Sequence, residues 1–512
     1  MSREDQIIGE RLRKLNDLRA KGINPYPYSF PNTEHSNSIL SKYHDATETP
    51  KGNVRIAGRI VSMRKLGKIA FLHLQDEGGK IQVLAKEEST QDYENIKLYD
   101  IGDIIGVEGG VFKTKAGETT IHAHTTTILC KTIRPLPEKW HGLKDMESRY
   151  RQRYVDLIMN PEVKETFKKR RIIVDTIREV LNKHNYLEVE TPILQPIYGG
   201  AAARPFKSYL NALDMTIYMR IANELALKRL LVGGFERVYE FAKDFRNEDI
   251  DTTHNPEFTQ IEFYEAYADY HIMMERVEEL FTTCAQKLYG TLTIPYGEHT
   301  IHLKTPWKRA TMKELIKEHA NIDTDKYTDK ELFDLRITYN IDIKGDITRG
   351  LMIQQLFEEL VEDKLIQPTF VVEHPQETTP LAKQSRTTPG LVERFELFVA
   401  GMEFSNAYSE LNDPIQQRKL LEDQARQLRA GEEEAHPMDE DFVQAIEYGM
   451  PPTGGVGIGI DRLTMLMTNN KSIRDVILFP FMKQETISQS QDSSSKFQET
   501  KDKEKRKKEE DK

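Results

Sequence analysis

Two cysteines in 512 residues, Cys130 and Cys284, far apart and without a CxxC, leave no material for a disulfide framework or a cysteine-rich zinc site. So sparse a use of cysteine fits a reducing compartment, and the expected location is the cytosol. Long apolar runs are missing as well: no stretch approaches the roughly 18 uncharged apolar residues of a membrane-crossing helix. The opening MSREDQIIGERLRKLNDLRAKG is charged and helical in period, without the apolar core of a signal peptide. A basic excess is also lacking. The net charge of −10 argues at first against a nucleic-acid partner, but phosphate is bound by local patches and not by the sum. RYRQRY at 149–154 and KKRR at 168–171 are such concentrations, although runs of this kind are more often solvated helix faces.

What is present is a globular composition, 38% hydrophobic and 30% charged, ample for at least one large core. At roughly 150 residues per domain, the length suggests two to four domains. Residues 1–50 read as an amphipathic helix, with Ile7, Ile8, Leu12, Leu15 and Leu18 near helical spacing, and then a linker rich in Pro, Tyr, Asn and Ser. Between 51 and 134 short strands alternate with turns, as in VRIAGRIVSMR, KIAFLHLQD, EGGK, IQVLAK and TTIHAHTTTILCK. About five such strands suggest a small closed barrel of OB type, which with the connector RPLPEKW fills 51–140. From 150 the pattern changes to a long helix with Pro161 near its start, then the strand LEVETPIL, then mixed strands and helices to 483. Residues 290–365 carry few chemical signals and read as a helical insertion. The stretch 484–512, ending KDKEKRKKEEDK, has almost no apolar residues and is expected to be disordered.

Three segments carry chemistry. FRNE, followed after a short loop by HNPEFTQIEF, reads as an antiparallel hairpin that turns Arg246, Glu248 and Glu262 toward one face. A surface hairpin with cross-strand ion pairs has the same pattern. In RFELFVAGMEFSNAYSELND, Glu396 and Glu403 flank the turn-forming Ala400-Gly401, so that they would face each other, with Asn406 and Glu410 beyond. Converging carboxylates need cations, and Mg²⁺ with substrate phosphates is the usual answer; a solvated acidic strand edge is the alternative. PPTGGVGIGIDRLTMLM is neither GxGxxG nor a P-loop. Its alternating glycines allow close backbone approach, and Arg462 directly after them offers a planar fork suited to phosphate or a purine face. His122 and His124 share a strand face without a third ligand nearby, which reads as a surface pair.

Taken together and in order, the helix with LEVETP, the pair FRNE–HNPEF, and GIGIDR resemble the three motifs of class II aminoacyl-tRNA synthetases. RYRQRYVDLI, GGAAARPF, RIANELALKRLLVGGFERVYE, SELNDP and RDVILFP narrow the resemblance to the lysine-specific family, bacterial-like, from the barrel to about residue 482. The resemblance implies an α+β chain: an N-terminal OB-fold β-barrel that reads the anticodon, then a class II catalytic domain built on an antiparallel sheet flanked by helices. It also implies a homodimer, with ATP, Mg²⁺, lysine and tRNA(Lys) as cofactors and partners. By position, Arg246 would hold the α-phosphate and the substrate carboxylate, Phe258 would stack on adenine, Glu248 and His254 would face ATP, and Arg462 would lie on its other side. Glu396 and Glu403 would hold Mg²⁺. Glu224, Glu262, Tyr264, Asn406 and Glu410 would form the lysine pocket, and Arg64, Phe71, Gln82 and Glu118 would read the anticodon. Ser405 and Ala407 stand where glycines are expected, and Met402 where a basic residue is common.

The chemistry agrees with the resemblance. A desolvated ammonium must meet carboxylates, and adenylate formation depends on positioning and charge neutralisation, with no protein nucleophile. On composition alone Phe71 would sit in the barrel core. Two rivals fit less well: a paralogue that lysylates a protein lacks the barrel, and a nonenzymatic RNA-binding factor would be expected to have lost Arg246, Glu403 or Arg462.

Overall fold

The computed structural model describes residues 2–31, 33–137, 145–341, 347–429 and 436–484. The end of the RPLPEKW connector and, from 485 on, the segment expected to be disordered lie outside the described residues. The chain divides into two units, one before residue 145 and one from there onward.

In the first unit, strands β1 (Lys51–Leu66), β2 (Ile69–Gln75), β3 (Lys80–Lys86), β4 (Ile104–Lys113) and β5 (Thr119–Cys130) close into a barrel in the order β1-β2-β3-β5-β4. Strand alternation decides what lies inside. Ala70, Leu72 and Leu74 of β2 join Ile56, Val83, Val107 and Ile121 in the core, while Phe71 and His73 between them stay partly exposed. The helix Arg3–Ala20 starts on a capping box at Ser2 and Asp5. It adds Leu18 to the barrel core and anchors its buried Arg11 on the Ile101 carbonyl and the Thr132 hydroxyl, both at 2.7 Å.

The second unit is built on eight strands: β6 (Leu187–Glu188), β7 (Arg237–Phe245), β8 (Glu257–Ala266), β9 (Lys308–Thr311), β10 (Thr369–Pro375), β11 (Leu391–Val399), β12 (Met402–Ser409) and β13 (Thr453–Gly459). Their order is β9-β10-β11-β12-β13-β8-β7-β6. The interior pairings are antiparallel, and the outermost pair at each edge is parallel, so the sheet is mixed and not purely antiparallel. Helices Pro161–Lys183, Tyr270–Tyr289 and Ile460–Thr468 bury Ile177, Phe281 and Leu463 with Phe263, Phe395 and Val456 of the sheet.

Three expectations need correction. LEVETPIL is not one strand: Leu187–Glu188 pairs with β7, and Leu194–Gln195 belongs to a separate small sheet. Pro192, which has no N–H for a ladder, stands between them. The segment 290–365 is not simply helical. It opens with the hairpin Thr293–Tyr296/His299–His302 and gives β9 to the main sheet before helices Met312–Ala320, Asp329–Tyr339 and Arg349–Leu360. The RYRQRY run is not a solvated face throughout. Arg153 is fully buried, bonded to Asp156 at 2.5 Å and to the Arg474 carbonyl at 2.8 Å.

Candidate functional site

Each catalytic-domain residue given a binding role by the resemblance lines one cavity of about 590 Å³ over the middle of the sheet; Ser405 lines it too, whereas Met402 and Ala407 do not. The strands set its walls. β8 carries Glu262 and Tyr264, β12 carries Glu403 and Asn406, and β13 runs between them. Gly457 is flanked by Glu262 and Asn406, and Gly455 by Tyr264 and Tyr408, so two glycines separate facing polar side chains. A Cβ on Gly455 would overlap Glu410 Oε1 and the Tyr264 ring. Close approach therefore requires glycine there.

One end of the cavity is cationic. Arg246 and Glu248 lie just past the end of β7 and not on the strand, with the Arg246 N–H donating to the Pro256 carbonyl at 3.0 Å. The Arg246 guanidinium lies 5.1 Å from the centroid of the Phe258 ring, a cation–π distance. Arg462 donates to the Glu403 carbonyl at 2.7 Å and meets His254 Nε2 at 3.1 Å, and His254 in turn meets Asp251 at 2.8 Å. Asp461 ties three segments together: its carboxylate accepts from Arg170 of the long helix at 2.6 Å and from the Thr259 N–H of β8 at 2.7 Å.

Glu396 and Glu403 do not face each other across the hairpin. A register shift at Leu397/Phe398 sets Glu396 opposite Asn406 and Glu403 opposite Phe398. Glu396 is held by Arg394 and by Asn406 Nδ2 at 3.3 Å. Glu403 keeps contact with solvent, and its carboxyl is nevertheless pushed up by its setting deep in the wall and by Glu396, against Arg462 and Arg394. Nearby Glu362 is pushed up to about 8 by burial and by Glu358, Glu396 and Glu403. Beside the arginines, Glu396 and Glu403 therefore repel each other strongly enough that Glu403 stays raised, and a divalent cation fits between them and a phosphate. Among the described residues no three His, Cys, Asp or Glu side chains gather as a metal site; Mg²⁺ is commonly held by one or two carboxylates and completed by phosphate and water.

The opposite end holds the buried carboxylates. Glu262 accepts from Gln260 at 2.6 Å and from the Tyr264 hydroxyl at 3.1 Å. Burial, and then Asp244 and Glu224, raise its carboxyl well above the ordinary range. Glu410 follows the end of β12 and is pushed up to about 8 by burial, with Lys228 opposing. Glu224, at the first turn of the helix Glu224–Val232, is likewise raised by burial against Lys228. Lys228, absent from the residues singled out in the sequence, is fully buried and paired with both, 2.5 Å from Glu224 and in direct contact with Glu410. The four-residue spacing in ELALK was its signal, since that spacing puts both side chains on one helix face. Arg394 and Gln260 were also missed; both read as ordinary strand residues.

On the barrel, Arg64 pairs with Phe71 across β1 and β2, and His73 pairs with Gln82 across β2 and β3. Glu118 joins the row, meeting Gln82 Nε2 at 2.6 Å and His73 Nε2 at 3.0 Å. Phe71 therefore belongs to the outer face with the polar residues and not to the core.

Comparison with known proteins gives consistent results. Residues 145–483 match the family of class II tRNA synthetases (D, K and N), and residues 54–129 match the OB-fold nucleic acid binding domain. A lysine–tRNA ligase of Carboxydothermus hydrogenoformans is 52% identical over 482 residues, 94% of this chain and 98% of that protein. Those of Halalkalibacterium halodurans (50% over 486 residues; 94% and 97%) and Bacillus subtilis (51% over 481 residues; 93% and 96%) are similar to the same extent.

Proposed function

The chain belongs to the class II lysine–tRNA ligases, and from that premise we propose how its residues divide the work. The enzyme activates lysine with ATP to lysyl-adenylate, releasing diphosphate, and transfers the lysyl group to the 3′ end of tRNA(Lys). The observation that carries the assignment is the polarity of one cavity: arginines at one end, three buried carboxylates at the other, and a glycine strand between them.

Lysine lies with its ammonium groups among Glu224, Glu262 and Glu410, beside Tyr264 and Asn406. Its carboxylate points to Arg246, whose planar fork spans that carboxylate and the α-phosphate. Phe258 stacks on adenine, His254 and Glu248 face the nucleotide, and Arg462 closes over its other side. The lysine carboxylate attacks the α-phosphorus and diphosphate leaves. The arginines neutralise charge that grows on the phosphate oxygens, in a site set beforehand by the Asp461 tie. Glu396 and Glu403 would hold Mg²⁺, which when bound supplies further neutralisation of the phosphates. The outward row of Phe71, Arg64, Gln82 and Glu118 offers one stacking ring with polar readers, as unpaired anticodon bases require. Exposed Leu187, Ile193 and Leu194 beside the long helix support a homodimer through this segment. Among the described residues no helix is long and apolar enough to cross a membrane, and the cytosol is the proposed location.

Lysine-dependent exchange of diphosphate into ATP without tRNA, run against all twenty amino acids, tests the reading. Exchange with lysine is expected. Exchange with another amino acid and none with lysine refutes it.

A further inference from the structure

Lys228 has no part in the residue assignments above, yet both of its partners do. Its ammonium is fully buried, 2.5 Å from Glu224 and in contact with Glu410. Burial works against this charge, but the two carboxylates together outweigh it and hold the ammonium above the ordinary lysine range. A role confined to the fold accounts poorly for the arrangement. A buried ion pair is often no more stabilising than well-packed apolar residues of the same volume, and here both carboxylate partners of the lysine line the cavity.

Charge counting gives the cation a task. Glu224, Glu262 and Glu410 carry three negative charges when ionised, Lys228 carries one positive charge, and two negative charges remain. Free lysine brings two ammonium groups, and its carboxylate is answered separately by Arg246. We propose that Lys228 is a positioning and specificity-determining residue: its resident ammonium fixes Glu224 and Glu410 and limits the site to a ligand with two ammonium groups. The proposal rests on the reading of this end of the cavity as the lysine site.

Among the described residues, Lys228 is the cation in contact with Glu224 and Glu410. Glu262 and Tyr264 of β8 and Tyr408 of β12 face Glu224, Lys228 and Glu410. His436 lies close enough to Lys228 for the ammonium to depress it, and burial pushes the same way, so that its pKa falls to about 4 and it stays neutral. Arg394 acts on Tyr408 and pairs with Glu396, away from Glu224 and Glu410. Burial raises the Glu224 and Glu410 carboxyls while Lys228 lowers them. They must ionise to hold an ammonium. Without Lys228 their protonated forms persist to higher pH, and the acid limb of lysine use moves upward.

The test is lysine-dependent diphosphate exchange from pH 6 to 9 with the full-length enzyme and the variants Lys228→Met, Lys228→Gln and Lys228→Arg. Gln keeps a hydrogen-bond donor at similar length without the charge, and it carries the test where Met fails to fold. For both neutral variants the acid limb of kcat/KM for lysine is expected to rise by about one pH unit, a roughly tenfold loss at pH 7 that narrows toward pH 9. KM for ATP should not change. Lys228→Arg should keep the limb of the parent. A purely structural lysine would lower the melting temperature and leave the limb in place, so an active Lys228→Gln enzyme with an unmoved limb overturns the proposal. Failure of the unaltered enzyme to exchange with lysine would instead overturn the reading of the cavity.

Discussion

Replacing Glu262 by Gln removes one negative charge from the end of the cavity that holds lysine and changes little else. The side chain is 5% exposed. Its two oxygens accept from Gln260 and Tyr264; the Gln oxygen can keep the first bond, and the Tyr264 hydroxyl can turn to accept from the new amide. The carboxyl is raised well above its ordinary range, and because the isosteric amide can keep both hydrogen-bond partners the substitution should leave folding nearly unaffected. The cost arises on binding. Removing one partner of a buried ion pair costs about 3–5 kcal/mol, and ionising Glu262 before it can pair offsets part of that. The expected loss at pH 7 therefore lies at the low end, about 3 kcal/mol, or roughly 150-fold in KM for lysine. As pH rises through the raised carboxyl pKa, the native enzyme gains affinity and the variant does not, so the ratio should widen toward pH 9. Diphosphate exchange at varied lysine and at saturating ATP measures it. A variant with parental KM for lysine, or a ratio that narrows with pH, refutes the reasoning.

Other substitutions follow from the same geometry. Arg246→Lys should lower kcat by about 2.7–4 kcal/mol equivalent, in the range for loss of a donor to developing oxyanion charge, as single-turnover adenylate formation would reveal; near-parental turnover would remove Arg246 from the chemical step. Gly455→Ala puts a methyl where Glu410 and Tyr264 meet and should cost about 1–3 kcal/mol of stability, with a larger rise in KM for lysine than for ATP. An unchanged melting temperature and an unchanged KM would show that the strand yields. Phe71→Ala should weaken tRNA charging by about 1–3 kcal/mol and leave lysine activation without tRNA untouched, with a melting temperature close to the parent because the ring is outside the barrel core. A lowered melting temperature with normal charging would return Phe71 to a structural role.

The motifs were legible because their residue types serve chemistry that few other patterns serve. Arg462 after alternating glycines, and FRNE before HNPEF, led to the cavity directly. Register was less legible. The position of Glu396 and Glu403 on the two strands either side of the Ala400-Gly401 turn suggested a facing pair, but the pairing, with its shift at Leu397/Phe398, sets Glu396 against Asn406. Strand ends were hidden for a similar reason: Arg246 and Glu248 keep the alternation of β7 in sequence while lying beyond its last pairing at Phe245. Lys228 was invisible because an i,i+4 Glu–Lys pair usually marks a solvated helix face, and only the packing of its helix brings Glu410 onto the same ammonium. The hairpin at the start of the insertion went unread because four-residue strands give little alternation to detect.

The glycine strand has a thermodynamic consequence. Side chains that close on a ligand lose rotamer freedom, at about 0.5–1.5 kcal/mol for each flexible one immobilised. Gly454, Gly455, Gly457 and Gly459 have no rotamers to freeze, and strand pairing already fixes their backbone, to β8 for all four and to β12 as well for the first three. The floor of the cavity thus receives its ligand without an ordering cost, and that cost concentrates in the long side chains of the walls, Arg246, Arg462, Glu396 and Gln260. Affinity can therefore be tuned by stiffening the walls, whereas the floor is already as rigid as the sheet that contains it.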